Sequence, residues 1–101
     1  MLQIIVSGKV EKLSEVDRDN NTQTTYVAEL HEKVWDGQKN VIRVWDIKLD
    51  KYTGERLKKA MVQIKYFGFN CDLLQFAYEQ QGKDGRLVVW ITVRGRDFFT
   101  L

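Results

Sequence analysis

The chain has 101 residues, of which 44% are hydrophobic and 30% charged. That mixture excludes a disordered tail and two separate cores, and sets one domain over residues 1–101. Sixteen Lys/Arg against fourteen Asp/Glu leave a net charge of only +2, so bulk charge does not announce a polyanion partner. No apolar run approaches the roughly 20 residues that span a bilayer, so no membrane partner is expected.

Leu2 to Val10 is β-branched and apolar, interrupted by Ser7-Gly8. It predicts a first strand with a glycine that permits a bulge or a sharp coil. The polar stretch Asp17 to Thr22 is a turn signal. Thr24 to Trp35 predicts a second strand, with Tyr26, Ala28 and Leu30 on one side and Thr25, Val27, Glu29 and His31 on the other. Asp36-Gly37-Gln38-Lys39-Asn40 reads as a hairpin loop around an Asp-Gly pair. Val41 to Leu49 predicts a third strand whose alternation is imperfect. A bulge near Trp45-Asp46 would put Ile42, Val44, Ile47 and Leu49 towards the core and turn Arg43 and Trp45 outwards together.

Thr53 to Met61 predicts a short helix, with Thr53 as its N-cap and Leu57 and Met61 on one side. Val62 to Phe67 predicts a fourth strand, with Val62, Ile64 and Tyr66 opposite Gln63, Lys65 and Phe67. Gly68 to Gly85 reads as a long aromatic-rich loop, its middle from Asp72 to Gln80 able to form a helical turn or two. Arg86 to Arg94 predicts a fifth strand, which Gly95 to Leu101 can extend. The fold class is therefore all-β. The order of strand, strand, strand, short helix, strand, long loop, strand is the layout of an OB-fold. That is a five-stranded Greek-key barrel, here with a short helix between strands 3 and 4 and a long loop between strands 4 and 5.

Charge is unevenly placed. Residues 1–50 carry seven Lys/Arg and nine Asp/Glu, whereas residues 51–101 carry nine and five. A basic half suits a phosphate-tracking surface, and it also suits a merely solvated face. The single cysteine, Cys71, cannot form an internal disulfide, and Met1 to Val6 has no basic leader pattern. A reducing cytoplasm, of a bacterial cell or a phage-infected host, is the expected compartment.

Chemistry for catalysis is thin. A triad needs a base beside its nucleophile, and the only histidine, His31, lies on a strand and reads as a surface residue. One His and one Cys do not make a zinc site. Gly82-Lys83-Asp84-Gly85 lacks phosphate-loop spacing, and Asp17-Arg18-Asp19-Asn20-Asn21 is a polar turn. No enzyme activity, metal or cofactor is expected.

Binding has more support. The three tryptophans lie in strand-like segments near basic residues: Lys33-Val34-Trp35, Arg43-Val44-Trp45 and Trp90-Ile91-Thr92-Val93-Arg94. Each is either a core or dimer-contact residue or an exposed ring on which a base stacks, with a neighbouring cation on the phosphate. The candidate binding residues are Trp35 at the hairpin tip, Trp45 and Phe67 on outward strand faces, Tyr78 in the long loop, and Trp90. The candidate cations are Lys33, Lys39, Arg43, Lys65, Arg86 and Arg94. Tyr66 and Phe69 are expected in the core.

Three stretches carry a resemblance to a known family. Ile4-Ile5-Val6-Ser7-Gly8-Lys9-Val10 is similar to the first strand of bacterial and phage single-stranded DNA-binding proteins. Asn40-Val41-Ile42-Arg43-Val44-Trp45 resembles their third strand, and Glu55 to Ile64 their helix-to-strand junction. The chain resembles a barrel-only member, of the primosomal or the phage- and plasmid-encoded kind, since no flexible linker and acidic tip follow Arg96-Asp97-Phe98-Phe99-Thr100-Leu101. The resemblance implies sequence-tolerant single-stranded DNA binding in replication or recombination, with RNA as an open option. It also implies a homo-oligomer, dimer or tetramer, and contacts with replication or recombination proteins. An OB-fold protein-interaction module with little nucleic-acid binding is the alternative, and a small phage structural or inhibitory barrel a third.

Overall fold

The computed structural model describes residues 3–16, 26–35, 37–38, 40–81 and 87–101, with residues 73–81 described by backbone alone. Five strands form a closed ring in the order β1-β2-β3-β5-β4. They are β1 (Gln3–Glu15), β2 (Tyr26–Trp35), β3 (Asn40–Leu49), β4 (Tyr66–Gln81) and β5 (Leu87–Thr100), with one helix, α1 (Lys51–Ala60), between β3 and β4. All neighbours are antiparallel except β3 and β5, which run parallel. Among the described residues no helix is long and apolar enough to cross a membrane.

The period-2 pattern of β2 holds: Tyr26, Ala28 and Leu30 are buried. Opposite them in register lie Leu49, Ile47 and Trp45 of β3. Val6 and Val10 of β1, Phe67, Phe69 and Cys71 of β4 and Val93 of β5 complete the interior, and Leu57 of α1 plugs one end. Phe98 meets Phe67 edge-on at 5.7 Å and 83°. Such crossed rings add about 0.5–1.5 kcal/mol to their area term.

β1 closes the ring by changing partners. Gln3 to Lys9 pair with β4, and Val10 to Glu15 with β2. Between the two, Val10 N–H donates to the Lys65 carbonyl at 2.9 Å. Gly8 has φ +156°, a conformation cheap only without a Cβ. The ladder irregularity expected near this glycine lies just beyond it, between Val10 and Lys12.

The helix begins earlier than Thr53. Asp50 is its N-cap, and Asp50 Oδ1 accepts from Thr53 N–H at 2.7 Å. Aspartate caps at least as well as threonine, and Thr53 is itself buried. At the other end Met61 N–H donates to Leu57, and the N–H groups of Val62, Gln63 and Ile64 donate to Lys59 and Ala60 carbonyls. This turn overrides the expected strand at Val62 to Phe67: Val62 is 81% exposed and β4 starts only at Tyr66. Parity follows Phe67, Phe69 and Cys71, so Phe67 is fully buried and Tyr66 points out.

The expected long loop is strand instead. β4 runs to Gln81 and pairs with β5 as far as Leu87, with no helical turn in Asp72 to Gln80. The register shifts between Leu73 and Phe76, where two extra residues intervene. Two extra residues leave the alternation in phase, with Leu73 opposite Val93 and Ala77 opposite Ile91, but they interrupt the ladder.

Candidate nucleic-acid interface

Pairing to β1 stops, among the described residues, at Leu30 on β2 and at Asp72 on β4. Beyond those points β2, β3, β5 and β4 stay paired to one another. They continue past those points as a four-stranded sheet. Register assigns each residue to a side. On the side continuing the barrel exterior, His31, Lys33 and Trp35 of β2 oppose Val44, Ile42 and Asn40 of β3. Ile42, Val44 and Lys48 align with Val88, Trp90 and Arg94 of β5. The backbone of Tyr78 stands opposite Trp90.

Four predicted residues therefore share this outer face: Trp35, Lys33, Trp90 and Arg94. Trp35 is 63% exposed, Lys33 and Arg94 are exposed, and Trp90 is half-buried with its Nε1 covered. Val44 is buried although it points away from the core cluster. A small apolar layer of Ile42, Val44 and Trp90 thus lies on the outer side of the sheet, with Val44 buried and the other two half-buried.

Arg43 and Trp45 fall on the opposite side, against expectation. β3 pairs without any register shift on both flanks, so the bulge proposed at Trp45-Asp46 does not exist. Trp45 follows Ile47 and Leu49 inwards and packs partly against the core. Its indole Nε1 is buried with no hydrogen-bond partner among the described residues. Arg43 donates from Nη1 to Glu32 Oε1 at 3.2 Å, both side chains being 42% exposed. Phe67, expected outside, is a core ring. Tyr78 lies in β4 rather than in a loop. Lys65 is exposed but sits before β4, at the far end of the barrel from Trp90, since Phe67 pairs with Thr100 and Tyr78 with Trp90. Lys39 and Arg86 lie outside the described residues.

The outer face also carries acid. Glu29 and Asp46 are directly opposite. Burial, then the Glu29 charge, raises the Asp46 carboxyl above its usual range, while His31 and Lys48 pull the other way. His31 Nε2 and Glu29 Oε2 are 2.8 Å apart. Cys71 has different chemistry: burial, then Asp72, pushes its thiol up to about 12. It stays protonated near neutrality, the wrong state for a nucleophile.

Sequence reasoning missed Lys48, which aligns with Arg94, and Tyr52, which is 71% exposed. A signal for Tyr52 was present in the four-residue spacing to Arg56 on a helix, which stacks the two side chains. A pocket of about 310 Å³ between β1 and α1, lined by Lys12, Leu13, Tyr26 and Lys58 among others, lies away from the tryptophans. No protein-family model, curated protein or solved structure matches the chain.

Proposed function

We propose that the ring is an OB-fold barrel and that the outer face of its β2–β3–β5 sheet binds single-stranded nucleic acid, DNA or RNA, without catalysis. The closed order β1-β2-β3-β5-β4, the parallel β3–β5 pair and the helix between β3 and β4 support the fold. One observation supports the function: register puts Trp35, Lys33, Trp90 and Arg94 on the same side of the β2–β3–β5 sheet, with Trp35, Lys33 and Arg94 exposed. Rings there stack bases at about 1–3 kcal/mol each, and the cations meet phosphates. None of these groups is arranged to read base edges, so sequence preference is weak. Protection or presentation of exposed strands in replication or recombination is the corresponding role.

Titrating tryptophan fluorescence with oligo(dT), oligo(rU) and duplex DNA at two salt concentrations tests this. Quenching by the single strands, with affinity falling as salt rises, is the expected result. Saturating oligo(dT) at low salt with neither quenching nor a gel shift overturns it.

A second reading, a self-associating protein-interaction barrel, has its own observation. Ile5, Tyr66, Phe99 and Leu101 are exposed, and register places Ile5 and Phe99 on the outer side of neighbouring strands, flanking Asn70 and Gly68. An apolar exterior of this kind suits a second copy. Sedimentation velocity without nucleic acid decides it: a concentration-dependent dimer or tetramer supports self-association, a monomer at all concentrations rejects it.

A further inference from the structure

At the end of the barrel away from Trp35, two elements build a column of stacked groups. The Arg56 guanidinium carbon lies 5.4 Å from the Tyr52 ring centroid and 5.3 Å from that of Phe98. Phe98 in turn meets Phe67 and Phe69, so the column is rooted in the core. Its outermost member, Tyr52, is 71% exposed. The core does not require an aromatic ring at this position. Arg56 holds the ring, so the rotamer is ordered before any ligand arrives and little side-chain entropy is lost on binding.

Cations connect this column to the tryptophan face. Arg94 follows Trp90 by four residues on the same outer side of β5 and aligns with Lys48 of β3. Lys51 opens the helix beside Tyr52. Glu55 is the only carboxylate in α1, against Lys51, Arg56, Lys58 and Lys59. The eight residues from Trp90 to Phe98 span roughly 26 Å at strand rise. The barrel thus carries rings at both ends, with Lys48, Lys51 and Arg94 between them and Asp46 on the same side as Lys48 and Arg94.

We propose that Tyr52, backed by Arg56 and Phe98, is a second base-stacking platform, taken up by the same single strand once it is long enough to pass Lys48 and Arg94. The proposal rests on the single-strand reading of the tryptophan face. It deepens that reading by giving the strand a direction over the barrel and a minimum length for full affinity.

The test is binding of oligo(dT), from about 4 to about 16 nucleotides, the range of site sizes for single barrels of this type. Wild type, Tyr52→Ala, Tyr52→Phe and Trp35→Ala are compared. Tyr52→Ala is expected to weaken the longest oligonucleotide about ten-fold and leave the shortest unchanged. Tyr52→Phe keeps wild-type affinity at every length, and Trp35→Ala loses affinity at every length. A Tyr52→Ala chain that matches wild type at all lengths, or loses equally at all lengths, overturns the platform while leaving the tryptophan face standing. Wild type that binds no length overturns both. Tyr52 is so exposed that its removal does not threaten the fold, and a matching melting temperature checks that.

Discussion

Asp46 lies directly across from Glu29 on the outer face of the β2–β3 pair, two carboxylates facing each other where cations would be wanted. Like charges opposite one another in a sheet destabilise it, and burial, with the Glu29 charge second, raises the Asp46 carboxyl.

Replacing Asp46 by Asn should therefore tighten oligo(dT) binding at neutral pH and raise the melting temperature. For the wild type the sign is fixed by linkage. A carboxyl with a raised folded pKa holds its proton longer in the folded chain, so its favourable contribution is full below the unfolded value of 3.8. That contribution is lost as pH rises through the folded value. Asp46→Asn should remove that part of the pH dependence. Melting curves at pH 4, 5 and 7 for the two chains check it, and identical curves would refute the assignment.

Phe67 and Trp35 should part company under alanine substitution. Phe67 is fully buried, and emptying such a site costs about 3–5 kcal/mol. Trp35 is 63% exposed and its removal should leave urea unfolding nearly unchanged. Binding should respond the other way, with Trp35→Ala weaker by roughly five-fold to a hundred-fold per lost stacked base. Unfolding curves and fluorescence titrations on both variants separate the roles.

Gly54→Ala sets two effects against each other. Alanine gains about 1 kcal/mol in a helix interior over glycine. Here, however, a Cβ would run into the Tyr26 ring, and Tyr26 is buried. Overpacking of this kind costs about 1–3 kcal/mol, so the variant should be less stable than the parent by urea denaturation. Gain of stability would show that the ring yields.

Cys71 should resist alkylation. Its thiol is buried, donates to the Phe69 carbonyl at 3.6 Å and is pushed up to about 12. Iodoacetamide at pH 8 should label the folded chain far more slowly than the chain in urea. The same shift predicts stability that is complete below pH 9, the unfolded value. It should fall as alkali approaches the folded value, because only the unfolded thiol has then ionised.

Much of the fold was legible from residues. Tyr26, Ala28 and Leu30 alternate without exception, and the helix announces itself between two strand signals. Three local events broke the pattern elsewhere. One extra residue, Arg96, between the Asn70–Asp97 and Cys71–Gly95 pairs shifted the parity of β5, and two extra residues interrupted β4 between Leu73 and Phe76. The helix C-terminal turn took Val62 and Ile64 out of the strand that their side chains favour. On β3, apolar residues occupy both sides, since Ile42 and Val44 form an outer layer of their own. An imagined bulge was the price of forcing them inward. That misplacement moved Arg43 and Trp45 to the wrong side, whereas Trp90 was legible because Leu87, Val89, Ile91 and Val93 define its opposite face cleanly.

The parallel β3–β5 pair has a consequence for synthesis. Like the β1–β4 pair, it joins segments far apart in the chain, and distant pairings form slowly. Until β5 emerges, the nascent cylinder stays unzipped, with two raw edges and an uncovered lining. Quality control has its longest opportunity in that interval. The same late strand delivers Trp90, so an unfinished molecule cannot display its full aromatic face.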